Sequence, residues 1–250
     1  MSTDLTSKVA LVTGASRGIG AEIARRLAAR SAKVIINYAS CSEAASALLE
    51  DITRAGGTAM LARGDVSIPS SIEAVFGQGI AAFGRVDIVV ANAGIELVGK
   101  ATVDVTEEEY DRLFAVNTKG AFFTLQEAAR RLEDKGRIIF IGSSTSEFPM
   151  PGHALYGASK MAPRFLVEVL AKELGSRGIT VNSILPTATE GAGVSTDGIR
   201  DSVRTYLNVF NPMKRPASLK DVADTVEYLA SDLACYVSGQ HLLLSGGAPA

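Results

Sequence analysis

The chain has 250 residues, of which 47% are hydrophobic and 24 are glycine, and this length and composition suit one sizeable domain with a buried core. The 25 lysines and arginines against 27 acidic residues give a formal net charge of −2 without a long run of one sign, so nucleic acid is not an expected partner. The polar start MSTDLTSK lacks the apolar region of a signal peptide, and no apolar stretch reaches the roughly 18 residues of a membrane span. We therefore expect a cytoplasmic protein that does not bind membranes.

Seven short apolar runs, rich in β-branched residues, predict strands. In most of them the apolar residues are consecutive rather than alternating, which is typical of a parallel sheet covered on both faces. The predicted strands are 9–13, 33–38, 58–63, 86–92, 137–142, 179–185 and 241–245.

Helix-forming segments separate these strands. The β-α alternation predicts the α/β class, with a doubly wound, three-layer sandwich around a seven-stranded parallel sheet, all within one domain spanning residues 1–250. The predicted helices cover about 18–30, 42–55, 69–83, 107–133, 155–176 and 219–231.

One segment interrupts this alternation. Residues 186–217 are too long for an ordinary connection and are rich in glycine, threonine and proline. Long loops near active sites often act as lids, so we interpret about 187–213 as a lid over the substrate.

Residues that bind metals or form disulfides are few. Cys41 and Cys235 are the only cysteines, His153 and His241 are the only histidines, and the members of each pair lie far apart in the chain. We expect two unreactive thiols and no metal site.

The first predicted strand is followed directly by TGASRGIG, residues 13–20, with Gly14, Gly18 and Gly20 where strand turns into helix. Glycines allow a tight turn and the close approach of a ligand, and the helix start offers free N–H groups to a pyrophosphate. Glycines alone could also mark a plain βα turn. The context, a strand before and a helix after, favours a Rossmann-like dinucleotide site.

The residues at the end of the second strand should determine whether the coenzyme is NAD(H) or NADP(H). An acid there would bind the ribose 2′-hydroxyl of NAD, but the sequence has Asn37, Tyr38 and Ser40. Arg17, in the glycine turn, could reach a 2′-phosphate. We therefore favour NADP(H) over NAD(H), the alternative being that Arg17 points into water.

Tyr156 and Lys160 stand four residues apart in a predicted helix and so share one face. A nearby ammonium favours the phenolate, so we expect Lys160 to lower the pKa of Tyr156 and make it a general acid and base. Ser143 follows the strand RIIFIG, where its hydroxyl could donate to a substrate oxygen. Alternatively, the Tyr–Lys pair is ordinary helix surface.

Together, TGASRGIG, ANAG (91–94), VNTKG (116–120), the spacing of Ser143 from Tyr156, and YGASK resemble the short-chain dehydrogenase/reductase family over nearly the whole chain. The resemblance implies a proton relay in which Tyr156 passes the proton and Lys160 also bonds the nicotinamide ribose. It further implies that Ser143 orients the carbonyl and that Asn117 holds a water linked to Lys160. The alternative for Asn117 is a helix residue that satisfies a neighbouring backbone group.

The predicted coenzyme contacts combine the glycine turn with family-implied positions after the other strands. They are Gly14, Ser16, Arg17, Gly18, Ile19, Gly20, Asn37, Tyr38, Ser40, Asp65, Val66, Asn92, Ala93, Gly94, Tyr156, Lys160, Pro186 and Thr189.

The sequence departs from the family pattern at four places. ANAG stands for NNAG, Ser245 replaces a frequent aspartate, and Thr187 follows Pro186 where the family has glycine. Because threonine does not easily adopt a positive φ, we expect a different path for 187–189. Pro163 inside the catalytic helix removes a donor and crowds the carbonyl of Ser159, which predicts a kink.

Three functions remain open. The first is an NADP(H)-dependent carbonyl reductase or alcohol dehydrogenase acting on a moderately hydrophobic small molecule. The second, a 3-oxoacyl-thioester reductase, would need a basic patch for an acidic carrier, and the third is a coenzyme-sensing regulator without turnover. The patch residues available are Arg130, Arg131, Lys172 and Arg177.

Substrate contacts are expected around the mouth of the cleft, and subunit contacts on two helices. Apolar residues of 107–133 and 155–176 exceed what one sheet face needs, which predicts a symmetric tetramer. Several of the cleft residues could instead pack the lid or face solvent. The substrate candidates are Glu96, Thr145, Phe148, Met150, His153, Leu155, Tyr206, Leu207, Val209 and Phe210, and the interface candidates include Phe114, Phe122, Phe123, Phe165, Leu166 and Val169.

Overall fold

The computed structural model describes residues 3–196, 198 and 201–248, without the side chains of residues 194, 202, 206–208 and 210. Seven parallel strands form one sheet in the order β3-β2-β1-β4-β5-β6-β9, and β7 and β8 form a separate parallel pair. The predicted α/β fold is confirmed, and all seven predicted strands lie in the main sheet. The strands are β1 (Val9–Val12), β2 (Lys33–Tyr38), β3 (Thr58–Arg63), β4 (Ile88–Ala91), β5 (Arg137–Ile141), β6 (Thr180–Pro186), β7 (Thr189–Glu190), β8 (Ala217–Ser218) and β9 (His241–Leu244).

The helices agree with the prediction except in two places. The segment predicted as one helix over 107–133 is two helices joined by a π-helical turn at Ala115–Gly120, and an additional helix lies in the lid. The helices are α1 (Gly18–Ala29), α2 (Ser42–Arg54), α3 (Pro69–Phe83), α4 (Glu107–Phe114), α5 (Ala121–Arg131), α6 (Ala154–Glu173), α7 (Asp201–Phe210) and α8 (Leu219–Ala230).

The core consists of two apolar layers, one on each face of the sheet. Val12 and Ile36 pack with α1, α2 and α8, while Leu11 and Ile35 face the layer under α3, α5 and α6. Neighbouring residues of one strand are therefore buried on opposite faces, which explains the consecutive apolar residues of the strands.

The strand order reverses between β1 and β4, and this switch point is where ligands bind in doubly wound folds. The carboxyl ends of β1, β4, β5 and β6 bring together the glycine turn, the 92–96 loop, Ser143 and the start of the lid. The sheet thus fixes the relative positions of segments that are far apart in sequence.

The predicted lid contains helix α7 and a short strand, β7, that pairs with β8 just before α8. Val209 is exposed, whereas the side chains of Tyr206, Leu207 and Phe210 lie outside the described residues. The start of the predicted lid is thereby paired with the residues that lead into α8.

Cys41 and Cys235 are exposed free thiols. In the part of the chain that the structure describes, none of the helices has the length and apolar character needed to span a bilayer. Within the same residues, no three His, Cys, Asp or Glu side chains gather as metal ligands would.

Candidate active site

The glycine turn after β1 requires glycine for two reasons, a positive φ and a close approach to the end of β4. Gly14 has a φ of 61°, and a Cβ there would lie 2.8 Å from Ala93 Cα, so the turn lies directly against the end of β4. At Gly20 a Cβ would lie 2.5 Å from Asn92 Nδ2, so α1 packs closely on the same loop. Gly18 starts α1 with a φ of 56° and leaves the first amides of the helix open. This cradle fits a pyrophosphate group.

Asn92 and Thr13 hold the cradle together. Asn92 Nδ2 donates to the carbonyls of Thr13 at 2.9 Å and Gly14 at 3.2 Å. In return, Thr13 Oγ1 accepts from the backbone N–H of Asn92 at 3.0 Å and of Ala93 at 3.1 Å. These hydrogen bonds join the carboxyl ends of β1 and β4 at the switch point.

Asn37 was predicted as a coenzyme contact. Its buried side chain forms hydrogen bonds with the glycine turn and with the end of β3. Its Nδ2 donates to the carbonyls of Ala62 at 3.1 Å and Gly64 at 3.0 Å, and its Oδ1 accepts from Gly14 N–H at 3.3 Å. Because the amide is engaged within the protein, we assign Asn37 to positioning the glycine turn.

The other predicted coenzyme residues line the same edge of the sheet. Arg17 and Ser40 are exposed, near the start of α1 and beyond the end of β2. Asp65 is exposed, with its Oδ1 accepting from the N–H and hydroxyl of Ser67, whereas Val66 is buried against Gly120. Tyr38, Ser16 and Ile19 are half-buried, and Pro186 and Thr189 are buried at the start of the predicted lid.

Thr187 does not adopt the positive φ that a glycine could have at this position. Both its N–H and its hydroxyl donate to the carbonyl of Leu244 on β9, at 3.2 and 3.0 Å. The segment entering the lid is thus tied to β9. Ser245, the other departure nearby, accepts at its carbonyl from Asn211 Nδ2.

The predicted catalytic residues come together. Tyr156 lies in the first turn of α6, and Lys160 Nζ is 5.9 Å from its ring centroid. Lys160 is buried, donates to the carbonyl of Ile141 at 3.1 Å and lies 5.3 Å from the ring of Phe140. Ser143, just after β5, has its hydroxyl near enough to the Tyr156 phenol to oppose the rise in the phenol's pKa. One phenol, one hydroxyl and one ammonium therefore meet at the carboxyl edge of the sheet.

The prediction that Lys160 lowers the pKa of Tyr156 is wrong for the protein without bound coenzyme. Burial raises the pKa of Tyr156, the charge of Glu96 adds to this, and the nearby Ser143 hydroxyl only partly opposes it. Burial also lowers the pKa of Lys160 to about 8. The ammonium is engaged with the carbonyl of Ile141, so desolvation of the phenol dominates and the phenol stays protonated at neutral pH.

Asn117 lies in the π-helical turn and binds the loop after β4. Its Oδ1 accepts from Ile95 N–H and its Nδ2 donates to Ile95 O, both at 2.8 Å. The Nδ2 also donates to Ser159 Oγ at 3.0 Å. The side chain therefore satisfies a neighbouring backbone, which was the alternative interpretation, and it fixes the loop next to Lys160.

Ser159 was not predicted, although it connects the catalytic elements. Its hydroxyl donates to the carbonyl of Tyr156 at 2.7 Å, and its own carbonyl accepts from Thr118 Oγ1 at 2.9 Å. This carbonyl would ordinarily accept from residue 163, but Pro163 has no N–H. Thr118 replaces the missing donor, and α6 continues through Pro163 to Glu173. The proline was the signal that could have identified Ser159 and Thr118.

Two predicted substrate residues lie on another side of α6. Met150 and His153 line a cavity of about 490 Å³ together with Gly157 and Met161, on a different helix face from Tyr156 and Lys160. Thr145 lies between the two sides, because it also lines this cavity while its Oγ1 donates to Ser143 Oγ at 2.9 Å. Phe148 and Leu155 are half-buried.

Comparisons with known proteins show similarity over nearly the whole chain. A family model described as enoyl-(acyl carrier protein) reductase matches residues 14–249. A probable tetrahydroxynaphthalene reductase of Zymoseptoria tritici is 38% identical over 98% of this chain and 95% of its own. A versicolorin reductase of Emericella nidulans is 40% identical over 98% and 96%. The structure of a Burkholderia cenocepacia short-chain dehydrogenase in complex with NADP matches with a TM-score of 0.91 at 36% identity, covering 99% of this chain and 100% of that one.

Proposed function

This chain belongs to the short-chain dehydrogenase/reductase family, and we propose that it is an NADP(H)-dependent carbonyl reductase that converts a ketone into a secondary alcohol. It is an oxidoreductase acting on C=O or CH–OH groups, as its reductase relatives indicate. The observation that carries the finer proposal is that the Tyr156 phenol and the Ser143 hydroxyl lie close to each other beside the buried Lys160. Two hydroxyl groups that meet in this way can both donate to one carbonyl oxygen.

In the proposed reduction, the protein binds the carbonyl oxygen and supplies its proton. The reduced nicotinamide, when bound, supplies a hydride for the carbonyl carbon. Ser143 donates a hydrogen bond to the oxygen as negative charge develops there. Tyr156 then gives its phenolic proton to that oxygen, so the phenol O–H bond breaks and the alcohol O–H bond forms. Because burial raises the pKa of Tyr156, the proton is present at neutral pH.

Lys160 stabilises the tyrosine after the transfer. A phenolate in a buried site is costly, and a neighbouring ammonium reduces this cost by direct attraction. Although burial lowers the pKa of Lys160 to about 8, most Lys160 side chains remain charged at pH 7. The lysine therefore acts on the product of the proton transfer rather than on the resting phenol.

We propose NADP(H) rather than NAD(H) as the coenzyme. Gly14, Gly18 and Gly20 would hold the pyrophosphate, and the exposed Arg17 and Ser40 would contact a 2′-phosphate. Residues 37–40 contain no acid to bind a ribose 2′-hydroxyl. The Burkholderia structure that resembles this chain contains NADP, which supports the choice.

The proposed substrate is a moderately hydrophobic, hydroxylated aromatic ketone. A relative over nearly the whole chain is named for a naphthalene with four hydroxyl groups, and its identity of 38% supports a related class. The test is a panel of ketones with NADPH and NADH, in which turnover is followed by the loss of the reduced coenzyme's absorbance. Turnover of aryl ketones with at least about tenfold preference for NADPH supports both proposals, and preference for NADH contradicts the coenzyme assignment.

The alternative is the reduction of 3-oxoacyl thioesters on a carrier protein. The description of the matched family model names an acyl carrier protein too, but with an enoyl group rather than a 3-oxoacyl group. Its expected basic patch is largely neutralised, since Arg130 and Arg131 pair with Glu127 and Arg177 pairs with Asp134. Faster turnover of acetoacetyl thioesters than of aryl ketones would favour this alternative. A non-catalytic regulator would bind NADPH and reduce neither class of substrate.

We also propose that the single domain with its 187–213 lid assembles into a homo-tetramer in the cytoplasm. Phe122 on α5 is 43% exposed and Phe165 on α6 is 68% exposed, and burial of both rings between subunits would remove their apolar surface from water. Phe123 and Leu166 pack partly on the core, so the exposed stripe is narrower than predicted. A tetrameric mass by light scattering at micromolar concentration supports the assembly, and a monomeric mass contradicts it.

A further inference from the structure

Glu96 lies on the loop after β4, beside the catalytic pair. Two residues earlier, Gly94 passes so close to α6 that a Cβ there would lie 3.0 Å from Lys160 Nζ. The intervening Ile95 is bonded at both its N–H and its carbonyl by Asn117. The backbone of Glu96 is therefore fixed relative to Lys160, and only the side-chain torsions of Glu96 remain variable.

The carboxylate of Glu96 reaches the beginning of the lid. A Cβ on Gly193 would collide with Glu96 Oε2, so the carboxylate lies against the bare backbone of this glycine, which has a φ of 56°. Two residues earlier, the carbonyl of Gly191 lies 3.4 Å from the position of a Cβ on Gly18. Residues 191–193 thus extend from the coenzyme cradle to Glu96, at the substrate end of the cleft.

Glu96 also faces the catalytic groups electrostatically. Its half-buried negative charge raises the pKa of both Tyr156 and Lys160. The carboxylate therefore contacts the predicted lid at Gly193, while the loop that carries it lies against Lys160 at Gly94.

We propose that Glu96 determines substrate specificity by accepting a hydrogen bond from a hydroxyl group that the substrate carries near its reacting ketone. The inference rests on the proposed carbonyl reductase function and adds a recognition element to it. An ionised carboxylate only accepts hydrogen bonds, so a substrate without a donor would displace water from a charged group without replacing its bond.

Other polar groups on the substrate fit less well at this position. A substrate carboxylate would be repelled by Glu96. A substrate ammonium would place a second cation beside Lys160, which burial already makes costly to charge. A neutral hydroxyl group satisfies the carboxylate without either penalty, so hydroxylated ketones are the class that the site selects.

The test compares kcat/KM with NADPH for 1-tetralone and for its monohydroxylated derivatives. The proteins are the wild type, Glu96→Met, which keeps the length of the side chain without an acceptor, and Glu96→Gln, whose amide oxygen still accepts. The matched control is Glu107→Gln, an exposed residue in the first turn of α4. A fifth protein, Gly193→Ala, places a methyl group where Oε2 lies and displaces the carboxylate without altering Glu96.

The wild type is expected to prefer the best hydroxylated ketone over 1-tetralone by about tenfold, the scale of one hydrogen bond to a charged group. Glu96→Met and Gly193→Ala should bring this ratio close to one, Glu96→Gln should leave part of it, and Glu107→Gln should keep it. Two results overturn the inference and leave the proposed function intact. One is a wild type that reduces 1-tetralone and the hydroxylated ketones with equal kcat/KM. The other is a Glu96→Met variant with the same ratio of kcat/KM values as the wild type. If the wild type reduces no ketone with NADPH, the proposed function fails and the inference falls with it.

Discussion

Replacing Thr118 with valine tests how the catalytic helix tolerates a proline. The substitution keeps the shape of the side chain and removes the hydroxyl that donates to Ser159 O at 2.9 Å. Since Pro163 has no N–H for this carbonyl, the loss leaves a partly buried acceptor without its donor, at a cost of about 1–3 kcal/mol. The free energy of unfolding should fall by this amount.

A double-mutant cycle isolates the cause. In Pro163→Ala, residue 163 regains an N–H four positions after Ser159, so the helix can supply the hydrogen bond itself. Thr118→Val should then cost less in the Pro163→Ala background than in the wild type, by about 1 kcal/mol or more. The packing lost with the proline ring lowers the stability of both Pro163→Ala and the double variant, so it cancels when these two proteins are compared.

Unfolding of the four proteins is measured in urea and by heating, at one protein concentration because assembly shifts apparent stability. For a chain of this size, 1 kcal/mol corresponds to about 2–4 °C in Tm. An equal cost of Thr118→Val in both backgrounds would refute the proposed compensation, as would a valine variant as stable as the wild type.

Three further predictions concern the site. Because burial lowers the pKa of Lys160 to about 8, kcat/KM for ketone reduction should be level below that pH and fall above it as the ammonium loses its proton, and a pH profile of Lys160→Met should lack this decline. Arg17→Ala should raise KM for NADPH about tenfold while KM for NADH changes less than about twofold; equal effects on both coenzymes would contradict a 2′-phosphate contact. Gly14→Ala should abolish NADPH binding in a fluorescence titration, since its φ of 61° and the 2.8 Å approach to Ala93 leave no room for a methyl group, whereas Gly77→Ala in α3, where a Cβ meets no atom within 4 Å, should bind normally.

The strands were predictable because their signal is local. Consecutive apolar residues such as Val34, Ile35 and Ile36 are buried on both sheet faces, and in a short segment this pattern is typical of a strand covered by helices on each side. The break in the predicted helix at 115–120 was not visible, because a π-helical turn adds a residue without ending the helical pattern. Its position follows from the contacts of Asn117 and Thr118 with α6, which are tertiary.

The sequence predicts which residues form the site better than it predicts their pKa shifts. The glycine turn and the shared face of Tyr156 and Lys160 follow from spacing alone. The direction of the Tyr156 pKa shift depends on burial, which is produced by distant segments packing together, and the sequence pattern carries no measure of it. For the same reason, the sequence could not show that Asn37 holds the glycine turn or that Met150 lines a cavity on another side of α6.

The most direct test of the account is the turnover of a ketone by Tyr156→Phe with NADPH. The account predicts that kcat falls by about a hundredfold or more, since a positioned general acid contributes on that scale, while the Kd for NADPH stays within about twofold of the wild type. Ketone reduction at close to the wild-type rate would show that the proton comes from another group, and the proposed mechanism would have to be abandoned.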